Sequence, residues 1–515
     1  MTTTIADPVI FLDGSQRPGK ELLGGKAFSL NEMSSRELPV PPAFALPTSM
    51  CGVFHDAGGV LPDSVWEQVV AHVARLEVLT GRTFGSGPAP LLVSVRSGAA
   101  QSMPGMMDTV LNLGLTPSLV EALATDSGDA RWAQDTWERF RKSYAKTVAG
   151  DPAAEPPTDP YEQLRAAIGA VFGSWNNERV AAYRERHHLG VGGGTAVTVQ
   201  AMVFGNRGTT SGTGVLFSRN PSTGEPGLYG EWLACAQGED VVSGECTPDP
   251  IATLHDQQPR VYDDLKRIAA EMEGDLRDLA DIEFTVEQGR LYVLQCRAGK
   301  RTPRAAVRIA LDLFDEGVLS AEEVSSRVSV EQVEQVLSER SVADGHEVLA
   351  RGQAVGSGTA YGLAVTDTDE AVARAAEGES VVLVRVATDP ADVPAMFSSV
   401  AVVTEIGGST SHAALVCREI GLPCVVGAGE GTVGALVGRR VTVDGASGLV
   451  LAGDAHEQVA GDGVARYDLH LERLAEVVTE GPVAELLRRA GRARRPGPRG
   501  GARCAARRRR PPHAR

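Results

Sequence analysis

No apolar run in the 515 residues approaches the ~20 needed to cross a bilayer, so no membrane anchor is expected. Met1 to Gly14 has neither a basic start nor an apolar core, and a secretory signal is not expected there. Seven cysteines, at 51, 235, 246, 296, 417, 424 and 504, include no C-x-x-C pair. That scatter argues for reduced thiols in a cytoplasmic protein and against a zinc site. No internal repeat is apparent.

What is present is the composition of a globular protein, 43% hydrophobic and 23% charged, with room for about three domains. The net charge is −16, but residues 488–515 hold 12 arginines and no acid, so residues 1–487 carry −28. An acidic body of that size does not invite nucleic acid. Residues 488–515, rich in Arg, Pro, Gly and Ala without apolar periodicity, are expected to be disordered. They read as a polyanion-binding arm or as the product of a lost coding frame.

The first ~300 residues alternate helix and strand patterns. Ser64 and Glu67 form a capping-box pattern ahead of Trp66, Val69, Val70, Val73 and Leu76, with Gly81 as the stop. Asp159-Pro160 opens another helix carrying Leu164, Ile168, Val171 and Trp175. Residues 195–204 read as a strand, 205–214 as a glycine-rich turn and 215–218 as the returning strand. From Pro303 to Leu337 the pattern is helical, with a second capping box at Ser320 and Glu323. A compact β-rich segment follows over 348–453.

Three places carry candidate chemistry. His412 follows a Gly-Gly-Ser-Thr-Ser turn and starts a short apolar helix, so hydroxyls and free N–H groups gather where a phosphate would sit. The plainer reading is a capped helix with a partly buried imidazole. Asp281 to Val286 alternates strictly and returns through Leu291 to Arg297. Period-2 geometry puts Asp281 and Glu283 on one face, and Gln295 with Arg297 on one face of the return strand. These suit a Mg²⁺–phosphate site, or equally a solvated hairpin face with a cross-strand ion pair. Gly208 to Gly214, Gly24-Gly25-Lys26 and Arg96-Ser97-Gly98 are weaker phosphate-binding patterns.

Taken in order, these segments resemble the pyruvate, phosphate dikinases. The resemblance is carried by Leu22-Leu23-Gly24-Gly25-Lys26, by Ser94-Val95-Arg96-Ser97-Gly98-Ala99-Ala100, and by Ser102 to Gly114 with its Met-Pro-Gly-Met-Met-Asp string. Ser211-Gly212-Thr213-Gly214, Arg219 to Glu225, Ala236 to Val242, the Asp281 hairpin through Thr302 and the His412 segment complete it. It spans residues of about 15–452.

The resemblance implies an α/β and α+β multidomain architecture. Residues 1–300 would be an ATP-grasp-like nucleotide-binding region, 301–347 a helical linker, 348–453 a phosphohistidine carrier domain that swivels, and 454–515 a short helical segment and then the disordered Arg-rich tail. The implied ligands are ATP, inorganic phosphate and Mg²⁺, with no nucleic acid and no membrane. Lys26, Arg96 and Arg297 would hold phosphates under a cover formed by Gly208 to Gly214, including Ser211, Gly212 and Thr213. Glu283 and Gln295 would bind Mg²⁺ with Asp281 close by, and Gln200 to Val203, with Met202, would be the strand edge facing adenine. His412 would attack the β-phosphorus of ATP as the phosphoryl carrier. Thr410 matches a threonine that regulatory kinases modify in some relatives.

Two departures stand out. The family's arginine ahead of Gly-Gly is Ile406 here, and 63 residues follow Ala452, where the family's pyruvate barrel needs ~250. The expectation is therefore an enzyme of the nucleotide half-reactions, reaching pyruvate and phosphoenolpyruvate only through a separate barrel-containing partner. A non-catalytic nucleotide-binding remnant and an ATP-dependent phosphotransferase with another small-molecule acceptor are the alternatives.

Overall fold

The computed structural model describes residues 7–99, 109–177, 180, 194–242, 247–338, 345–356, 358–456 and 469–493, which build three main sheets with helices between them. Strands β1 (Ile10–Phe11), β2 (Ala43–Leu46), β3 (Val93–Gly98), β4 (Thr109–Leu113) and β5 (Ala196–Ala201) form the first. It is antiparallel throughout, in the order β1-β2-β5-β3-β4. Helix α1 (Lys20–Ser35) leads into it, and α2 (Asp63–Thr80) and α3 (Pro160–Ser174) cover it. In α2, Val65, Val69, Val73 and Leu76 recur at helical spacing and are buried, and Gly81 closes the helix in the left-handed region at φ 67°. The Ser64–Glu67 capping box does not form, because the helix already starts at Asp63 behind Pro62. Asp159 does cap α3, its carboxylate accepting the Tyr161 N–H at 2.8 Å.

The second sheet contains β6 (Gly212–Arg219), β7 (Pro226–Ala234), β8 (Asp249–Pro250), β9 (Ala280–Glu287) and β10 (Arg290–Ala298). Its order is β8-β7-β6-β9-β10, again antiparallel. One face is apolar: Leu216, Trp232, Ile282, Phe284 and Val286 pack with α1 and with α4 (Pro259–Leu276). The register between β9 and β10 shifts at one point, so that Glu283 opposes Gln295 while Phe284 opposes Val293. Leu294 is thus the extra residue of a bulge, which lets Leu291 and Val293 face the core while Gln295 and Arg297 face away from it. The expected glycine turn is shorter than 205–214. Gly212, Thr213 and Gly214 lie inside β6, flanked by β7 and β9, and a Cβ at either glycine would drive into Trp232 or Phe284.

Helices α5 (Pro303–Asp315), α6 (Ala321–Arg327) and α7 (Val330–Ser338) form a helical layer, and the Ser320–Glu323 capping box is present at 3.3 and 2.8 Å. The third sheet follows, built from β11 (Val348–Arg351), β12 (Gln353–Ala354), β13 (Thr359–Val365), β14 (Val381–Arg385), β15 (Ala401–Thr404), β16 (Cys424–Val426), β17 (Arg440–Asp444) and β18 (Leu449–Ala452). In the order β11-β18-β17-β13-β14-β15-β16-β12, the run β13 to β16 is parallel. Gly352 alone separates β11 from β12, so the two edges of this sheet meet and it curls on itself. Alternation in β14 serves both sides: Val382 and Val384 fill the interior, while Val381 and Leu383 pack beneath helices that include α8 (His412–Ile420).

Beyond this sheet, α9 (Leu469–Val477) and α10 (Gly481–Ala493) return to the helical layer, where Leu471, Leu474, Val478, Val483 and Leu487 join the core of α5 to α7. Residues 488–493, expected to be disordered, instead continue the amphipathic α10, which buries Leu487. Residues 494–515 lie outside the described ones. No helix among the described residues is long and apolar enough to cross a membrane.

Arg219 at the end of β6 ties the second sheet to the helical layer. Its guanidinium donates to Glu273 of α4 at 2.8–3.1 Å and to Glu316, at the end of α5, at 2.8–2.9 Å. The arginine side chain is 5% exposed. Arg219→Ala would leave the Glu273 carboxylate without its cation and with only the Ser218 hydroxyl donating to it, and we expect a loss of ~3 kcal/mol in a denaturant titration.

Candidate functional site

The GGK and RSG segments meet because α1 is kinked. Gly24 takes φ 71° and ψ 167° inside the helix, and the Gly25 N–H donates to the Ala99 carbonyl at 2.9 Å. A Cβ on Gly24 would lie 1.9 Å from the Gly98 carbonyl oxygen, so only glycine permits this approach of helix to strand. The kink places Lys26 beside Arg96 of β3, and the Arg96 guanidinium reaches Glu283 of β9 at 3.4 Å.

Directly opposed residues of antiparallel strands share a face. Glu231, Val215, Glu283 and Gln295 therefore form one row across β7, β6, β9 and β10, and Tyr229, Phe217, Asp281 and Arg297 form the next. Asp281 accepts from the Arg297 Nε at 2.8 Å and is 1% exposed at its side chain. Its Oδ1 and the Oε1 of Gln295 are buried with no partner among the described residues. Unpartnered buried oxygens next to a carboxylate are the hard donors a Mg²⁺ ion takes, so these residues fit the ion.

The charges interlock. Burial would raise the Glu283 carboxyl, but Arg96, Arg297 and Lys26 outweigh it and hold the group below its ordinary value. Asp281 first, and Glu283 after it, keep Arg297 firmly cationic against burial. Lys26 is brought down to about 7, by burial first and then by repulsion from Arg96 and Arg297, with Glu283 opposing. The three cations thus exceed what the two carboxylates balance, and an added anion would relieve Lys26.

The structure gathers Lys26, Arg96, Asp281, Glu283, Gln295 and Arg297. It does not put Gln200 at an edge: β5 is flanked by β2 and β3, and Gln200 pairs with Ala43 and Ser94 while its amide donates to the Pro41 carbonyl at 3.2 Å. Met202 and Val203 follow the strand and are half-buried, with the Met202 N–H held by the Leu92 carbonyl at 2.9 Å. Ser211, Gly212, Thr213 and Gly214 are buried within or against the sheet. Ser211 accepts the Gln288 N–H at 2.8 Å, and the Thr213 hydroxyl donates to the Phe284 carbonyl at 3.0 Å. Gly208, Thr209 and Thr210 are the exposed part of that segment. The Met-Pro-Gly string at 103–105 lies outside the described residues.

His412 opens α8, and α8 lies against the polar face of the second sheet. The Ser409 and Thr410 N–H groups and the Thr410 hydroxyl all donate to Glu231, the last two at 3.0 and 2.6 Å. Further along, Lys300 pairs with Glu419 at 2.8 Å. Both ring nitrogens of His412 are enclosed without a hydrogen-bond partner among the described residues. Burial pushes its pKa below the ordinary 6.5, partly opposed by Asp389 and Asp392, so the imidazole is neutral at pH 7. Ile406 is half-buried, its N–H bonded to the Val386 carbonyl at 3.0 Å. Glu231 was not singled out from the sequence. A glutamate in the strand Gly230-Glu231-Trp232 carries no local signal, since its partners are 178 and 179 residues away.

Fold and site together define a cation-rich polar sheet face with a second, separately folded histidine-bearing domain laid upon it. Family models agree with both parts. "Pyruvate phosphate dikinase, AMP/ATP-binding domain" matches residues 59–263, and "PEP-utilising enzyme, mobile domain" matches 377–448. The chain is 42% identical over 505 residues to the pyruvate, phosphate dikinase of Rhizobium meliloti, covering 84% of this chain and 56% of that protein. It is 39% identical to that of Clostridium symbiosum (86% and 57%) and 41% identical to the chloroplastic pyruvate, phosphate dikinase 1 of Zea mays (79% and 48%). Through these two domains the chain belongs to the pyruvate, phosphate dikinase family. It spans about half the length of the relatives it matches.

Two outcomes are expected. Gly24→Ala should cost ~3 kcal/mol in chemical denaturation, since its Cβ has no room and its φ is positive. Lys26→Met should raise the melting temperature. In the wild type the charged form is disfavoured by folding, so the gain is full below pH 7 and fades as pH rises toward 10.5. Equal melting temperatures for Lys26→Met and wild type at pH 6.5 would contradict the assignment.

Proposed function

We propose that this chain carries out the nucleotide half-reactions of a dikinase, with ATP and inorganic phosphate as substrates and His412 as the phosphoryl carrier. The observation that supports it best is the gathering of Lys26, Arg96, Arg297, Asp281, Glu283 and Gln295 on the sheet face against which the His412 helix rests. A neutral imidazole nitrogen attacks the β-phosphorus of ATP, and the bond from that phosphorus to the oxygen of the α-phosphate breaks, releasing AMP. The terminal phosphoryl of the pyrophosphoryl-histidine then passes to inorganic phosphate, giving pyrophosphate and leaving phosphohistidine.

Lys26, Arg96 and Arg297 hold the phosphate chain and neutralise charge as it moves to the leaving group. Glu283 and Gln295, with Asp281 beside them, would hold Mg²⁺, which when bound supplies further neutralisation of the phosphate oxygens. Met202 and Val203, past the end of β5, are the part of the expected adenine segment whose side chains remain partly accessible. The exposed Gly208 to Thr210 turn, rather than the strand residues after it, is the part free to cover phosphates. The enclosed ring of His412 favours reaction away from bulk water, which would otherwise hydrolyse the phosphohistidine.

Transfer onward to pyruvate would require a separate barrel-containing chain, and the reaction would take place in the cytoplasm. Ile406, an uncharged residue beside the loop, favours as a second reading a different small-molecule acceptor. Thr410, the expected regulatory position, is 1% exposed and bonded to Glu231, so a kinase would reach it only after α8 leaves the sheet.

Incubation with Mg²⁺, phosphate and β-³²P-ATP should leave acid-labile label on the protein and none on His412→Ala. Absence of label on the wild type, or its survival in His412→Ala, would overturn the proposal. Pyruvate added to the labelled protein should give no phosphoenolpyruvate until a barrel-containing chain is supplied.

A further inference from the structure

Residues 202–211 carry the chain from β5 of the first sheet to β6 of the second, and Arg207 in that crossing bonds to both sides. Its guanidinium donates to the Asp126 carbonyl at 3.1 Å and to the Asp126 carboxylate at 3.3 Å, at the end of helix Pro117–Ser127, whose Leu119 and Leu123 join the core of the first sheet. It also donates to Glu287, the last residue of β9 in the second sheet, at 3.1 Å. The arginine side chain is 13% exposed and lies over the Trp132 ring at 5.6 Å. Asp126 accepts in addition from Arg82 at 3.0 Å, and Glu287 from the Phe204 N–H at 3.3 Å. Arg82 and Arg207 therefore balance Asp126 and Glu287, whereas Lys26, Arg96 and Arg297 outnumber the carboxylates beside them. With its charge already matched, Arg207 is a strut rather than a contact for a phosphate.

The residues around it fix the same segment. The Asn206 side-chain oxygen accepts from the Trp132 indole at 3.0 Å and from the Gln237 amide at 3.4 Å. The Ser211 hydroxyl donates to the Arg207 carbonyl, and the Gly289 N–H reaches the Thr210 carbonyl at 3.0 Å. Both feet of the turn are thus held, and only its tip is left open. There the N–H groups of Gly208, Thr209 and Thr210 have no acceptor among the described residues. Gly208 takes φ 84° with open space where a Cβ would stand, so its glycine serves the hand of the turn and not its packing. Glu287 lies four residues beyond Glu283 on β9, on the same face by period-2 geometry and roughly 13 Å away. The strand that carries Glu283 into the site therefore also anchors the turn.

We infer that Arg207, held between Asp126 and Glu287, is a positioning residue that sets the Gly208–Thr210 turn over the polar face so that its free N–H groups meet the outer phosphates of ATP. This rests on the proposed nucleotide reading of the site. Arg207 acts through the turn and leaves the nucleoside end of the ligand alone, so its loss is felt by a triphosphate and not by a monophosphate.

The test uses the full chain, with Mg-ATP and AMP titrated separately by calorimetry. Arg207→Met should weaken Mg-ATP about tenfold and AMP by less than about twofold. Glu287→Gln, made on the strand side, should reproduce that split, and the double variant should be no worse than the more affected single one. In hydrogen exchange, both variants should speed the amides of 208–211 by about tenfold or more, with β3 and the 281–285 part of β9 unchanged. Equal losses for Mg-ATP and AMP in both single variants, unchanged affinity for both ligands, or additive effects in the double variant would overturn the assignment. Should Arg207→Met loosen the whole region, Glu287→Gln decides the question. A wild type that shows the split but takes no label from β-³²P-ATP removes the half-reactions and leaves the role of Arg207 standing. Label on the wild type without the split in either variant removes Arg207 and leaves the half-reactions.

Discussion

The extra residue Leu294 in β10 decides which side chains the site can use. Before it, Leu291 and Val293 face the core shared with α1 and α4; after it, Gln295 and Arg297 face the opposite side with Glu283 and Asp281. With unbroken alternation Gln295 and Arg297 would share a face with Val293, and polar groups would enter the core. The bulge therefore sets the polar rows, and the polar rows set where α8 lies.

Charge is distributed over those rows so that no group is satisfied alone. Arg297 needs Asp281, Glu283 is held down by three cations, and Lys26 is close to losing its proton. A site poised in this way gains most from an incoming polyanion, because the ligand removes repulsion already stored among Lys26, Arg96 and Arg297. Docking of α8 adds Arg418 and covers the face with protein, which strengthens every one of these interactions by excluding water.

Much of this could be read from residue order. Strict alternation over Asp281 to Val286 reports a strand directly, and the strings around Arg96 and His412 lie within the two matched domains. Capping boxes were less dependable: Ser320 and Glu323 close one, whereas Pro62 starts α2 early and leaves Ser64 and Glu67 without that role. What flanks a strand is not written in its own residues, so Gln200 reads as an edge residue although β2 and β3 flank its strand. Gly212 and Gly214 read as a loop for the same reason: their small size answers to Trp232 and Phe284, which come from other strands. Glu231 could not be found at all, since its meaning depends on a loop nearly 180 residues later. Leu471, Leu474, Val478, Val483 and Leu487 did offer helical spacing, hidden by the polar and basic residues around them.

The return of α9 and α10 to α5, α6 and α7 makes the third sheet an insertion with both its ends rooted in the same layer. One connection, residues 339–347 between Ser338 and Val348, is nine residues long and can stretch at most roughly 30–35 Å. A histidine on so short a leash meets the polar face as a unimolecular event, at an effective concentration far above that of two free proteins. The same leash limits how far Val348, and with it the sheet that bears His412, can lie from the helical layer.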